Sequence, residues 1–410
     1  MTFSPRFIAW RWATFATLLL GYVGYYLCRA NLQAVQPTLG ESLGYTMTEI
    51  GLIGTVSTAA YGAGKFTHGF LADKFGGKVM FLIGIFGAAL FSAAFGMASS
   101  LGAFVVLWSL NRFVQAGGWV GMVQICAQWY PRNRLGTYMS VLSLSYLAGD
   151  WAARQLAGAL IDASFSWRMV FYIPAGLAAL IGLTAIFTVK ASPEAIAEPT
   201  LSVESAGETR EGGFEWALVV ELFRGRAFRS LCVLSVLLTG IRVSFQEWSS
   251  LYLQVIGNDA ATAMKDSSIF SLAGIVSTIL AGIVSDRFFG GRRGPVCIAC
   301  LAVMCTGLFG LALDASPTPD RAYAYLGLVG FGLLGPFSLL GGAGSIDVGG
   351  RKMAAIAAGL VDGVGYIVAP VLGSLGIAAV VERYGWSNAF GLLAIAGVCS
   401  VATTAVMARR

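Results

Sequence analysis

The sequence predicts an all-α integral membrane protein of twelve transmembrane helices, arranged as two pseudo-symmetric six-helix bundles. Three observations carry this. Of 410 residues, 57% are hydrophobic and only 12% charged, with mean hydropathy +0.74, a balance that soluble domains of this length do not show. Apolar runs of about 20 residues recur from end to end, each long enough to cross a ~30 Å hydrocarbon core. Finally, Gly69-Phe-Leu-Ala-Asp73-Lys74 recurs as Gly282-Ile-Val-Ser-Asp286-Arg287, an offset of 213 residues, and the same offset carries Arg29 onto Arg242.

The spans follow in order. Residues 14–36 lack a small-residue cleavage site and read as a retained first helix rather than a signal peptide. Residues 49–71 lead into the first repeated loop, 78–98 are almost purely apolar, and 102–128 carry an amide and arginine stripe. Residues 135–160 and 168–189 complete the first bundle, separated by the interfacial aromatics Phe165-Ser-Trp167. The second bundle takes 228–252, 267–286, 295–314, 322–346, 352–381 and 386–408, with Tyr384-Gly-Trp386 in the matching place before its last helix. Domain boundaries are therefore 1–189 and 228–410. The linker at 190–227 holds Ser192, Pro193, Glu194, Glu198, Pro199, Glu204, Glu208 and Gly212-Gly213, a solvated, flexible composition.

The net charge of +6 does not point to nucleic acid, because of where the cations lie. They gather at alternate helix ends: Arg6 and Arg11, Lys74 and Lys78, Arg132 and Arg134, Arg224 to Arg229, Arg287 to Arg293, Arg351 and Lys352, Arg409 and Arg410. The opposite loops hold only Arg168, Lys265, Arg321 and Arg383. By the positive-inside rule both termini are cytoplasmic, as an even number of crossings requires. The seven cysteines fall in apolar stretches, and Cys297-x-x-Cys300 opens a helix without a second pair or a ligand histidine. They read as packing residues. No metal cluster, nucleotide loop or catalytic triad is visible, so neither an enzyme nor a cofactor is expected.

Gly69-x-x-x-Asp73-Lys74-x-Gly76-Gly77-Lys78 resembles the signature loop of the major facilitator superfamily, and Gly282 to Arg293 its degenerate second copy. Within that superfamily, three segments resemble the organophosphate:phosphate antiporters of the glycerol-3-phosphate and hexose-phosphate transporter type. They are Tyr25-Tyr26-Leu-Cys-Arg29-Ala-Asn31, Ala60-Tyr61-Gly-Ala-Gly-Lys65-Phe66, and Ile241-Arg242 with Glu247-Trp248 and Tyr252-Leu253 downstream. The resemblance implies that Arg29 and Arg242 bind a phosphoryl group, that Lys65 assists, and that the chain works as a monomer. Asp73 and Asp286 read as gate residues that lock the cytoplasmic side through nearby arginines or a helix N-terminus, with Lys74, Lys78 and Arg287 beside them. The chain departs from that family at Gly118-Trp119-Val120-Gly121, at Tyr146 where some members carry histidine, and at Asp150, Arg154 and Asp362.

Helical spacing sorts the remaining polar residues. Tyr22, Tyr26, Arg29 and Gln33 share one expected face, as do Tyr61, Lys65 and His68. So do Trp108, Arg112, Gln115 and Trp119; Ser143, Tyr146, Asp150 and Arg154; Arg242, Gln246 and Ser249; and Asp362 with Tyr366. Lipid offers no hydrogen bonds, so these faces look inward. The embedded cations Arg29, Lys65, Arg112, Arg154 and Arg242 outnumber Asp150, Glu247 and Asp362 by two, a balance suited to a phosphate dianion. His68 reads as a packing histidine, and Asp150 with Arg154, four residues apart, as an ion pair.

The expected function is a secondary transporter in a prokaryotic inner membrane, exchanging a small organophosphate or phosphonate for inorganic phosphate by alternating access. Two alternatives stand beside it. One is a proton-coupled carrier of another organic anion or a drug, using Arg112, Asp150, Arg154 or Asp362 for coupling. The other is a non-transporting sugar-phosphate sensor. Only if Asp150 and Asp362 face the cavity unpaired is the substrate expected to carry an amine or quaternary ammonium beside its phosphoryl group, against a cation–π wall of Trp119, Tyr146 or Tyr366.

Overall fold

The computed structural model describes residues 4–130, 132–196, 222–289, 293–314, 316–339 and 360–408. The side chains at 73, 132–137, 140, 286 and 339 lie outside that description, as do most of the predicted linker and the basic residues Arg292, Arg351, Lys352, Arg409 and Arg410.

The helices are α1 (Pro5–Leu27), α2 (Asn31–Glu41), α3 (Met47–Phe75), α4 (Gly77–Met97), α5 (Leu101–Trp129), α6 (Arg132–Asp162) and α7 (Met169–Thr188). After the linker come α8 (Arg226–Val255), α9 (Ala260–Asp266), α10 (Ile269–Phe288), α11 (Arg293–Leu313) and α12 (Pro319–Leu339). Then follow α13 (Leu360–Tyr384) and α14 (Trp386–Ala408). With α1–α2 and α9–α10 each taken as one interrupted crossing, every one of the twelve predicted spans is met by a helix. Among the described residues, seven are long and apolar enough to qualify on composition alone. α1, α3, α5, α6 and α12 are not among these, and the first four carry much of the polar set expected to face inward. The protein is a multi-pass integral membrane protein.

Packing repeats the internal duplication. In the first half α4 lies against α5 and α7, and α1 against α7. In the second, α11 lies against α12 and α14, and α8 against α14. These are the same three pairings shifted by one half. Small residues permit them: a Cβ on Gly84 or Gly118 would sit 2.2 or 2.5 Å from the Tyr25 ring system, which wedges between α4 and α5. There the Tyr25 hydroxyl donates to the carbonyl of Phe81. In the second half, Gly330 on α12 lies 2.2 Å, by its virtual Cβ, from the Phe270 carbonyl of α10. Such close contact supplies dispersion where lipid removes the hydrophobic drive.

Two glycines of the repeated motifs are set by backbone geometry. Gly76 in the signature loop has φ 83°, and so has Gly385 of Tyr384-Gly-Trp386. Both occupy the left-handed region, which a side chain would strain.

By contacts the chain divides into two compact units. One gathers Met1–Asn31, Ala60–Ala153 and Phe165–Phe214; the other gathers Leu32–Ala59, Arg154–Ser164 and Glu215–Arg410. The boundaries cut α3 and α6 and fall next to the α1–α2 break. Two segments from the first half of the sequence, Leu32–Ala59 and Arg154–Ser164, thus belong, by packing, with the second half.

Candidate functional site

Arg29 lies in a break. α1 ends at Leu27, the amides of Cys28 and Arg29 close tight turns onto the carbonyls of Tyr25 and Tyr26 at 3.2 and 2.9 Å, and α2 starts at Asn31. Neighbouring helices hold the unwound turn. Gln115 on α5 donates to the Cys28 carbonyl at 3.2 Å and to Asn111 at 2.6 Å, while the Asn31 amide donates to the Val170 carbonyl at the start of α7. The expected continuous face from Tyr22 to Gln33 is therefore corrected: the helix unwinds before Gln33, which belongs to α2.

The Arg29 guanidinium carbon stands 4.9 Å from the Tyr26 ring centroid and 4.5 Å from that of Tyr61 on α3. Lys65 Nζ lies 5.5 Å from the same Tyr61 ring. One tyrosine thus serves two cations, each drawn to its π-face. Arg29 and Lys65 are half-buried, Tyr26 and Tyr61 buried.

An aromatic wall continues from Tyr26. Its ring centroid is 5.6 Å from Tyr22 and 6.2 Å from Tyr146 on α6, and Tyr22 is 5.4 Å from Trp119 on α5. Gly149 lets α6 approach, since a Cβ there would lie 2.7 Å from Tyr26 Cβ. Trp119 and Tyr146 are half-buried and pack on the core of this unit, while Asp150 is buried one turn beyond Tyr146. Arg112 is buried, its guanidinium carbon 5.7 Å from the Trp108 ring. His68 is a packing histidine: Nδ1 bonds the Gly64 carbonyl at 2.8 Å and the ring tilts on Phe113.

In the other unit Arg242 is buried on α8. It donates at 3.2 Å to the Tyr366 hydroxyl on α13, and its guanidinium carbon stands 4.7 Å from the Phe337 ring on α12. Asp362, half-buried, precedes Tyr366 by one turn. Gln246 contributes its backbone: its carbonyl accepts from Arg154 Nη2 at 2.8 Å, and Arg154 Nη1 donates to Ser267 at the α9–α10 kink, also at 2.8 Å. Arg154, 2% exposed, is thereby a cross-brace from α6 to two helices, a role the intrahelical spacing did not suggest.

Two residues outside the predicted binding set join this network. Gln33 donates to Glu247 at 2.9 Å, both buried. An acid five residues after a membrane arginine was the legible signal for Glu247; nothing in the sequence singled out Phe337 or joined Gln33 to Glu247. Around them, the Ser374 hydroxyl donates to the Gly51 carbonyl at 3.0 Å, and Thr55 donates to the Pro370 carbonyl while accepting from the Leu375 amide, both at 3.2 Å. Thr48 donates to Glu382. The α13 side of this contact is a π-helical turn, Val371–Gly376, a local form common at functional sites. All these residues lie at the helix ends away from the Lys/Arg-rich loops.

At the basic end, Lys78 Nζ donates to the Ile186 carbonyl at 2.8 Å, closing the last turn of α7. Lys74 is exposed with Nζ 5.3 Å from the Phe75 ring, and Arg287 is exposed. The side chains of Asp73 and Asp286 lie outside the described residues.

A family model described as Major Facilitator Superfamily matches residues 18–361. The chain belongs to this superfamily. Among curated members it is 27% identical to a probable hexose phosphate transport protein of Chlamydia trachomatis, covering 94% of this chain and 89% of that one. It is 28% identical to the membrane sensor protein UhpC of Salmonella typhimurium, covering 96% and 90%. It is also 27% identical to the glycerol-3-phosphate transporter of Bacillus subtilis, covering 93% and 89%. Superfamily folds are matched in solved structures. A bacterial Spinster homologue in an inward-facing, unoccupied conformation gives TM-score 0.74 at 14% identity, over 100% of this chain and 96% of that one. A D-xylose–proton symporter gives 0.75 at 14% identity, over 97% of each.

Proposed function

We propose that this superfamily member is a secondary transporter exchanging a small organophosphate or phosphonate for inorganic phosphate by alternating access. The observation that carries it is the pair Arg29 and Arg242, repeat-equivalent guanidinium groups, each set against aromatic rings in a membrane helix. Arginines inside membrane helices are costly and mark substrate or ion pathways. A guanidinium fork suits the paired oxygens of a phosphoryl group. In this reading Arg29 and Arg242 bind the phosphoryl group, Lys65 adds charge, and Tyr26, Tyr61 and Tyr366 hold the cations in place. Trp119, Tyr146, Gln246 and Asp362 face the organic end.

The bundles 1–189 and 228–410 are the moving parts, with Asp73, Lys74, Lys78, Asp286 and Arg287 at the cytoplasmic gate. The likeness to hexose-phosphate and glycerol-3-phosphate transporters supports the substrate class. The protein acts as a monomer in a prokaryotic inner membrane with both termini cytoplasmic. The test is counterflow of radiolabelled phosphate into proteoliposomes preloaded with phosphate, competed by a panel of phosphorylated metabolites. Absence of exchange rejects the proposal.

The likeness to a membrane sensor favours one second reading, a protein that binds a sugar phosphate and signals without carrying it. Saturable phosphate-ester binding with no counterflow would select it.

A further inference from the structure

We infer that Thr55 on α3 is a positioning residue for the anion site at Arg242: its hydroxyl holds α13 in the register that keeps Tyr366 bonded to that guanidinium while α3 is docked. The inference rests on the phosphate-exchange reading and deepens it.

The observation is where that hydroxyl lands. In the π turn of α13 the Ile377 amide bonds the Leu372 carbonyl, five residues back. Thr55 Oγ1 donates to the Pro370 carbonyl and accepts from the Leu375 amide, both at 3.2 Å, and these two backbone groups are also five residues apart. A buried side chain from a neighbouring helix thus joins the two ends of the widened turn. Pro370 loosens the same stretch, because it has no N–H to offer the Tyr366 carbonyl four residues back. Gly54 lets α3 come close enough, and Gly51 does so one turn earlier, where a Cβ would stand 3.0 Å from Ala378 Cβ.

A π turn contains one residue more than the α ladder accepts, so closing it would swing the two halves of α13 by about 100° relative to each other. Those halves have different moorings. After the turn, Ser374 donates to the Gly51 carbonyl of α3 at 3.0 Å, and the Thr48 amide and hydroxyl both donate to Glu382. Before it, Ser235 of α8 donates to the Val361 carbonyl at 2.9 Å and Arg242 donates to Tyr366 at 3.2 Å. The widened turn satisfies both sets at once. Without the Thr55 hydroxyl the turn closes, and the longest of these bonds, Arg242 to Tyr366, gives way. The guanidinium then loses the orientation that paired phosphoryl oxygens require. When α3 moves off, its own ties go with it, and the turn can close without disturbing Tyr366.

The experiment measures phosphate counterflow in proteoliposomes, and thermal stabilisation of the purified protein by inorganic phosphate. The variants are Thr55→Val, Thr55→Ser, Tyr366→Phe and the double variant Thr55→Val with Tyr366→Phe. Valine matches the shape of threonine without its hydroxyl; serine keeps the hydroxyl. Thr55→Val should raise the KM for phosphate about tenfold, the equivalent of one lost hydrogen bond, and Thr55→Ser should restore it. In the Tyr366→Phe background Thr55→Val should add nothing, since both act on one bond. A role in helix packing alone would lower the thermal midpoint with KM unchanged, or would add to the effect of Tyr366→Phe. Either result overturns the inference and leaves phosphate exchange intact. If Thr55→Val does not fold, Thr55→Ala takes its place in the same cycle. If the wild type shows no counterflow, the exchange reading falls and the phosphate-dependent thermal shift decides for Thr55. A shift lost in Thr55→Val and regained in Thr55→Ser keeps it as a positioning residue of an anion site; equal shifts, or none in any variant, overturn that as well.

Discussion

Gln33 on α2 gives its amide N–H to the carboxylate of Glu247 on α8 at 2.9 Å, with both side chains at most 3% exposed. The two come from opposite halves of the sequence yet lie in one compact unit. A hydrogen bond to a buried charge is worth about 1.5–3 kcal/mol. Gln33→Leu should therefore lower the thermal midpoint of the detergent-solubilised protein measurably, with Gln33→Glu worse at neutral pH because it sets two carboxylates together. A midpoint unchanged in Gln33→Leu would remove this bond from the list of stabilising contacts.

Arg29→Lys and Arg242→Lys preserve charge but lose the planar fork. Each should reduce phosphate counterflow by at least about tenfold. Retention of wild-type exchange in either variant would mean that its guanidinium does not bind the anion.

Gly54 marks where α3 meets α13. A Cβ there would fall 2.5 Å from the Ser374 hydroxyl and 3.3 Å from Glu247 Oε2. Gly54→Val should push these helices apart at an overpacking cost of about 1–3 kcal/mol. The readout is modification of Thr48→Cys by a membrane-impermeant thiol reagent added on the side opposite the Lys/Arg-rich loops. Labelling should accelerate in the Gly54→Val background; an unchanged rate would show that Ser374 simply turns aside.

Arg154 braces Ser267 and the Gln246 carbonyl from a buried position. Arg154→Met should lower the maximal exchange rate and the thermal midpoint while leaving the KM for phosphate near wild type. A raised KM with an intact maximal rate would instead put Arg154 in contact with the ligand.

Much of this was legible in the residues. Apolar run length and the 213-residue offset suffice for the twelve crossings and the duplicated packing, because in lipid every helix must satisfy its own backbone. Arg29 beside Tyr26 follows from helical spacing, and the polar faces that hold Arg242 and Tyr366 were readable one helix at a time, but the hydrogen bond joining Arg242 to Tyr366 was not. What spacing alone misled was the first helix, where a strictly periodic reading ran through Cys28–Ala30. Side chains from α5 and α7 pin that unwound turn, and partners that distant leave no local mark. For the same reason spacing gave no sign that Arg154 reaches across to α8 and the α9–α10 kink. The unit boundaries inside α3 and α6 were equally invisible, since nothing in composition changes at Ala59 or Ala153.

The interruption at Cys28–Ala30 alters what the backbone offers beside residue 29. Had the helix run through, the peptide N–H groups from Asn31 onward would be consumed by the preceding turn; a fresh start instead leaves the leading amides of α2 outside that ladder. A helix beginning there carries a fraction of positive charge independent of any side chain. Stripping the guanidinium, as in Arg29→Gln, should accordingly leave a faint attraction for anions, supplied by the main chain alone.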